Sequence, residues 1–263
     1  LILNKLYKDK VAILFWILGG FFVANAIVAE FIGIKIFSLE STLGLTPFKW
    51  TILGVKDLGF NLTAGVLLWP VVFVMTDIIN EYFGKRGVKR LSYFAVLLIC
   101  YAFLMIYLSI WLSPNEWWQV ESGLSDNEAM SVADMDLAFA KVMGQGLWII
   151  IGSLVAFLVG QVVDVYIFQK IKSFTGESKI WLRATGSTMI SQLLDSYVVL
   201  IIAFYIGADW DLVMVLAIGT MNYIYKFIMA VLLTPVIYLT HYVIDRWLGS
   251  ELAKRLKIDA SQS

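Results

Sequence analysis

The sequence predicts an all-α integral membrane protein, a single domain of six transmembrane helices in one bundle with both termini cytoplasmic. Three observations lead there. Of the 263 residues, 60% are hydrophobic and only 15% charged, with a mean hydropathy of +0.81; soluble domains are nearer half apolar and a quarter charged. Six segments offer the about 20 mainly apolar residues that a helix rising 1.5 Å per residue needs to span a bilayer: roughly 11–30, 62–83, 90–113, 143–169, 184–207 and 212–244. The connections alternate in charge. Fifteen Lys and Arg fall in the N-terminal stretch, the 83–90 turn, the 169–183 turn and the tail, against four in the opposite connections, and cations gather on the cytoplasmic side.

In chain order, Lys5, Lys8 and Lys10 before an apolar run, with Ala24-Asn-Ala26 behind, imitate a secretory signal. The run from Val11 to Ala29 is long enough to span and the rest of the chain is equally apolar, so it reads as a retained first helix. Residues 31–61 hold two short apolar runs around Thr46-Pro47, compatible with an extracellular hairpin or with a continuation of helix one. Residues 114–141 carry Glu116, Glu121, Asp126, Glu128, Asp134 and Asp136 and read as a solvated outer cap. The last segment exceeds one crossing, and Pro235 offers it a place to kink or end. Tryptophans fall near both boundaries, as interfacial anchors do. Open sheet edges find no partner in lipid and no dyad alternation of a barrel is present, so the bundle is helical.

Charge inside an apolar span costs roughly 2.5–3.5 kcal/mol per residue on insertion scales, so the polar residues of these helices point to function. Asp77 follows the apolar run that starts at Gly65, and Glu81 shares its face at i, i+4. Gln161 and Asp164 on the fourth helix, and Gln192 and Asp195 on the fifth, repeat an i, i+3 pairing of amide and carboxylate, and Asn222 and Lys226 share a face of the sixth. Counted from the cationic ends, Asp195 and Lys226 lie near the midplane, Asp77 and Asp164 in the inner third. Glu81 and Glu30, near helix ends, read as solvated. An ordinary structural network would let Lys226 neutralise Asp195, with amides tying helices together. At least three acids would then share one buried lysine, leaving negative charge uncompensated. A ligand with N–H donors, a proton or a water-filled cavity would relieve it.

A carboxylate accepts two roughly parallel N–H bonds and an amide both donates and accepts. Such a site suits a small planar heterocycle with adjacent ring N–H and amino groups, although an amine or a proton would satisfy the same carboxylates. Phe73, Tyr197, Tyr223 and Phe227 stand beside the acids and are the aromatics placed to stack on a flat ligand; most others read as packing or contact with membrane lipid. Zero net charge argues against a nucleic-acid partner. Cys100 is the single cysteine, so no internal disulfide forms. His241 has no ligands at metal spacing, and Asn61-Leu-Thr63 is a glycosylation-type triplet of low specificity. No Gly-x-Ser-x-Gly, His-Glu-x-x-His or Gly-Lys-Ser/Thr occurs. The expectation is a protein that is not an enzyme, with no cofactor and no metal.

Thr76-Asp77-Ile-Ile-Asn80-Glu81-Tyr-Phe-Gly84, Gly160-Gln161-Val-Val-Asp164-Val-Tyr-Ile-Phe168, Ser187-Thr188-Met-Ile-Ser-Gln192-Leu-Leu-Asp195 and Tyr225-Lys226-Phe closely resemble the queuosine precursor transporter family, also described as a vitamin uptake transporter family. The resemblance covers helices two, four, five and six in order. It implies a multi-pass protein of the bacterial inner membrane that imports 7-deazaguanines such as preQ0 and preQ1, with Asp77, Gln161, Asp164, Gln192, Asp195 and Lys226 as site residues. The combined expectation is alternating access to a midplane site: Asp195 and Gln192 bond the base edge, Gln161 and Asp164 lie nearby, Asn222 adjoins, and Lys226 balances charge. Asp77 and Glu81 are the candidates for proton coupling. The alternative is a substrate-capture subunit like that of energy-coupling-factor vitamin importers, which needs a partner ATPase. The sequence leaves open which deazaguanine is preferred, the driving ion and whether the chain forms a homodimer.

Overall fold

The computed structural model describes residues 2–120, 131–144, 146–176 and 179–261. Helix α1 (Ile2–Ile32) is followed by β1 (Ile36–Ser38), the short α2 (Leu39–Thr42), β2 (Trp50–Ile52), β3 (Val55–Leu58), β4 (Asn61–Thr63) and a 3-10 turn at Ala64–Leu67. Then come α3 (Trp69–Trp111), α4 (Glu116–Val120), α5 (Met135–Met143), α6 (Leu147–Thr175), α7 (Ile180–Leu200) with a π-helical extension at Ile201–Ile206, α8 (Leu212–Leu248) and α9 (Ser250–Ser261). Five of these helices, α1, α3, α6, α7 and α8, are long and apolar enough to cross a membrane. The architecture is therefore that of an all-α membrane protein.

The two expected helices over 62–83 and 90–113 are one 43-residue helical stretch, α3, broken at Gly84. Thr76 Oγ1 lies 3.0 Å and Ser92 Oγ 3.5 Å from the same Gln161 Oε1. In an unbroken helix residues 16 apart stand about 24 Å apart, so α3 doubles back into two arms. Gly84 sits midway between them with φ 65° and ψ −171°, a backbone region essentially reserved for glycine. Helix α3 starts at Trp69 rather than at residue 62, because Asn61–Thr63 pair as a strand with Ile36–Ser38 and Pro70 stands in the first turn, where its missing N–H costs nothing. At the other extreme α8 runs on past Pro235 to Leu248, and does not end at the proline.

Phe15 meets Phe83 with ring centroids 5.0 Å apart and Phe31 meets Phe103 at 5.5 Å, so α1 runs beside the second arm of α3 in the same direction. Lys10 Nζ donates to the Trp247 carbonyl at 2.8 Å, which brings the end of α8 to the same end of the bundle as the Gly84 turn. Around Phe22, Val72, Ile78, Ile79, Ile99 and Phe157, all below 2% exposed, α1, both arms of α3 and α6 form one apolar core. Helices α6 and α7 pack closely at Gly152, where a Cβ would stand 2.9 Å from the Val199 carbonyl oxygen; small residues allow such backbone approach in lipid.

Of residues 31–61, for which the sequence left a hairpin or a longer helix open, the first two finish α1 and the rest, with Leu62 and Thr63, hold two small antiparallel sheets. β1 pairs with β4 (Phe37 opposite Leu62), and β2 with β3 (Ile52 opposite Val55). The two residues between β2 and β3, Leu53 and Gly54, both have positive φ, 51° and 85°, as a tight hairpin turn of primed type requires. This cap rests on α8 through Phe60, Leu62 and Val66 against Met221 and Tyr225. Of the acids read as an outer cap at 114–141, Glu121, Asp126 and Glu128 lie outside the described residues, as do the side chains of Lys5 and Lys8; Asp134 caps α5 by accepting from the Leu137 N–H at 2.9 Å.

Glu40, 2% exposed, holds the cap together by accepting the Phe60 N–H at 2.8 Å and the Ser38 hydroxyl at 3.2 Å. Burial pulls its pKa up, but the Phe60 N–H and the other hydrogen bonds outweigh it, and the carboxyl titrates below its usual value. A depressed folded pKa gives stability that is present above the unfolded value, about 4.3, and is lost as pH falls through the folded one. Glu40→Gln is expected to lower the melting temperature in detergent at pH 7, by about 1 kcal/mol of stability, with the deficit shrinking at acid pH; a pH-independent deficit would count against this role. Gly84→Ala should cost about 1–3 kcal/mol in the same assay, and a variant as stable as the parent would mean that the turn carries no strain.

Candidate functional site

Two sets of charges lie inside the bundle, and they are treated differently. Near the Gly84 end, Arg183 of α7 grips Glu81 of α3 with Nη2 at 2.7 Å and Nε at 3.2 Å, and Lys172 of α6 adds a third contact at 3.3 Å. Glu81 and Arg183 are 0% exposed, which corrects the expectation that Glu81 is solvated. Arg183, counted from sequence as a turn cation, is a buried partner instead. Its Nη1 donates to the Gly176 carbonyl at 2.8 Å, and its guanidinium lies 5.9 Å over the Phe168 ring. Next to it, Tyr82 donates to Asp245 at 2.6 Å and Lys257 of α9 pairs with Asp245 at 2.7 Å. Glu30, also expected to be solvated, is buried at the opposite end and accepts from Ser153.

The second set lies one to four turns deeper. On α7, Thr188, Ser191, Gln192 and Asp195 follow at helical spacing and form a polar stripe. Thr188 donates to Asp77 Oδ2 at 3.3 Å, Ser191 donates to Asp164 Oδ1 at 3.1 Å, and Lys226 of α8 forms an ion pair with Asp195. Asp77 and Asp164, 1% and 0% exposed, have no cation within ion-pair range among the described residues. Their second oxygens, Asp77 Oδ1 and Asp164 Oδ2, are buried without a hydrogen-bond partner, and so are the amide nitrogens of Asn80, Gln161 and Gln192 and the Ser196 hydroxyl. Buried polar groups in native proteins are almost always satisfied. Of these residues, Asp77 and Gln192 line one cavity.

A cavity between the first arm of α3, α7 and α8 is lined by Asp77, Thr188, Gln192 and Lys226, with Trp69, Phe73 and Tyr225 as aromatic walls. The space open to the centre of a water molecule is about 20 Å³, room for about one water, so the site is narrow. It brings together four of the polar or aromatic residues singled out from sequence: Asp77, Gln192, Lys226 and Phe73. Asp195 reaches it through its pair with Lys226. Asp164 stands behind the α7 stripe, Gln161 faces the second arm of α3, and Asn222 does not line the cavity. Tyr197, expected to stack, bonds Thr220 at 2.9 Å; Tyr223 packs on Phe227, which is 41% exposed. None of these three rings lines the cavity, and Trp69 and Tyr225 stand in their place.

Sequence reasoning missed Thr188 and Ser191, although their spacing from Gln192 and Asp195 is the stripe itself. It also missed the Lys172–Arg183 pair, which composition hid among the turn cations. Trp69 and Tyr225 were not singled out as stacking rings, although Tyr225 lies in the motif with Lys226, because aromatics are abundant throughout.

A multi-pass helical bundle with a narrow, mainly apolar cavity that carries a few buried polar side chains is the architecture of a membrane transporter. The family model described as "Putative vitamin uptake transporter" matches residues 63–240. The chain is 28% identical over 234 residues to the "Queuosine precursor transporter" of Escherichia coli, covering 86% of this chain and 92% of that one. It is 26% identical over 188 residues to the "Probable queuosine precursor transporter" of Bacillus subtilis, 70% and 73% of the two chains, and 27% identical over 190 residues to that of Haemophilus influenzae, 70% and 71%. No solved structure matches it. The chain belongs to the vitamin uptake transporter family, and is a multi-pass protein of the bacterial inner membrane.

Removing one member of a buried ion pair strands the other, at about 3–5 kcal/mol. Glu81→Gln should lose stability on that scale, Arg183→Gln less because Lys172 still pairs with Glu81, and the double variant should lose less than the sum. Thermal unfolding of the purified proteins reads this directly, and additive losses would mean that the two side chains do not act as a pair.

Proposed function

We propose that this chain imports queuosine precursors, 7-deazaguanine bases, by alternating access to the cavity beside Asp77, Gln192 and Lys226. The observation that carries the reading is that two residues lining one cavity hold unmet buried polar atoms, a carboxylate oxygen on Asp77 and an amide donor on Gln192. A simple amine or cation would answer the carboxylate and leave the amide stranded. A fused heterocycle presents N–H donors and ring or carbonyl acceptors in one plane and answers both, and Trp69, Phe73 and Tyr225 offer faces for it. The names of three relatives support the same solute.

In this reading α3 crosses the membrane twice, giving six crossings, and both termini are cytoplasmic, in keeping with the fifteen-to-four division of cations. In the same reading two structures gate the cavity. Toward the cytoplasm stands the Glu81–Arg183–Lys172 cluster, and toward the outside the cap seated on Met221 and Tyr225. Transport opens them in turn. Asp195 holds Lys226 in place and contributes to the base edge, and Asp164 lies in reserve behind Ser191. Asp77 is the better proton carrier of the two candidates, because Glu81 already answers two cations.

The test is uptake of labelled preQ1 into liposomes that hold the purified chain alone. Uptake there removes the need for an ATPase partner. A hydrogen bond to a charged group is worth about 1.5–3 kcal/mol, so Asp77→Asn and Gln192→Ala should each cut uptake at least about tenfold with melting temperatures retained, and Asp195→Asn should abolish it in a protein that is less stable but still folded in detergent. Unimpaired uptake by Asp77→Asn and Gln192→Ala would remove the cavity from the pathway, and indifference to a proton gradient would remove Asp77 as carrier.

A further inference from the structure

A second and larger hollow lies on the outer face of the bundle, between the second arm of α3 and α6, with about 300 Å³ open to the centre of a water molecule. Its floor is Val88, Val165, Ser92 and Gln161, and its rims carry Tyr93 and Tyr166, 54% and 57% exposed on the apolar surface. Lys85 and Lys89 close the end toward the Gly84 turn. Both lysines are exposed, and neither is ion-paired among the described residues, nor are the adjacent Arg86 and Arg90. Lys89 lies 5.7 Å over the Tyr93 ring and Lys170 6.0 Å over the Tyr166 ring, so a cation flanks the groove on each side. Gln161, 2% exposed, lines the floor, and its amide nitrogen has no hydrogen-bond partner.

We propose that this groove is a binding site for one anionic phospholipid. Its phosphate lies on Lys85 and Lys89, a glycerol ester carbonyl accepts from Gln161 Nε2, and an acyl chain follows Leu158 and Val162 away from the charged end. The spacing fits. Along a helix Ser92, and Gln161 beside it, lie about 5–10 Å deeper than Lys89 and Lys85, where the ester groups of a lipid follow its phosphate into the apolar layer. Unpaired cations at one end and exposed aliphatic wall at the other match an amphiphile with an acidic head, and neither a free anion nor a neutral lipid uses both. The transported base does not enter the argument, so this site stands or falls apart from the reading of the inner cavity.

The experiment titrates purified protein in detergent with phosphatidylglycerol, with phosphatidylcholine of the same chains, and with glycerol 3-phosphate as the head alone, reading bound lipid by native mass spectrometry and melting temperature alongside. Phosphatidylglycerol is expected to bind at least about fivefold tighter than phosphatidylcholine, the factor carried by one lysine near the surface. Lys85→Gln/Lys89→Gln should erase that preference, and Val162→Trp, which fills the wall, should block both lipids while leaving the lipid-free melting temperature unchanged. Equal affinity for the two lipids, a double variant that keeps the preference, or glycerol 3-phosphate stabilising the protein as much as the whole lipid would overturn the proposal.

Discussion

The structure depends on how it treats carboxylates placed where water is scarce. A charge in an apolar span is tolerated only with a partner, and the bundle supplies partners unevenly. Glu81 receives two cations, from α6 and α7, which ties the first arm of α3 to both at one end. Asp195 receives one. Asp77 and Asp164 receive only hydroxyls, from Thr188 and Ser191, and each keeps one oxygen unmet. The same constraint therefore locks the bundle at its end and leaves it incomplete in its middle.

That gradient explains why the fold is built around α7. Its stripe of Thr188, Ser191, Gln192 and Asp195 faces Asp77 on one side and Asp164 on the other, so a shift of α7 changes the environment of both acids together. Close packing at Gly152 anchors the far part of α7 to α6, and Arg183 anchors its near part to α3. The polar stripe lies between two fixed points.

The cap and the groove show the chain solving opposite boundary problems. Outside the apolar layer, Glu40 is buried among backbone donors and stays charged because those donors outweigh its loss of water. On the outer face of α6, Val162 and Tyr166 are left exposed, as is natural where lipid rather than water is the solvent.

Much of this protein was legible in its sequence. Hydropathy over 20-residue windows identifies α1, α6, α7 and α8 because the thickness of a bilayer fixes how long an apolar run must be, and the spacing of Gln192 and Asp195, or of Asp77 and Glu81, fixes which residues share a helical face. The pattern could not assign partners. Arg183 reads as a turn cation until α7 is packed against α3, and Glu81 reads as solvated for the same reason. Residues 31–61 were ambiguous because strands this short carry too few positions to show a period. Tyr223 and Phe227 differ from Tyr225 by two residues, and only the rotation of α8 decides which ring meets the cavity. The sequence by itself determined that polar groups would be buried in a helical membrane protein. Tertiary structure decided which were satisfied, because pairing depends on distances between helices that no periodicity along one chain can encode.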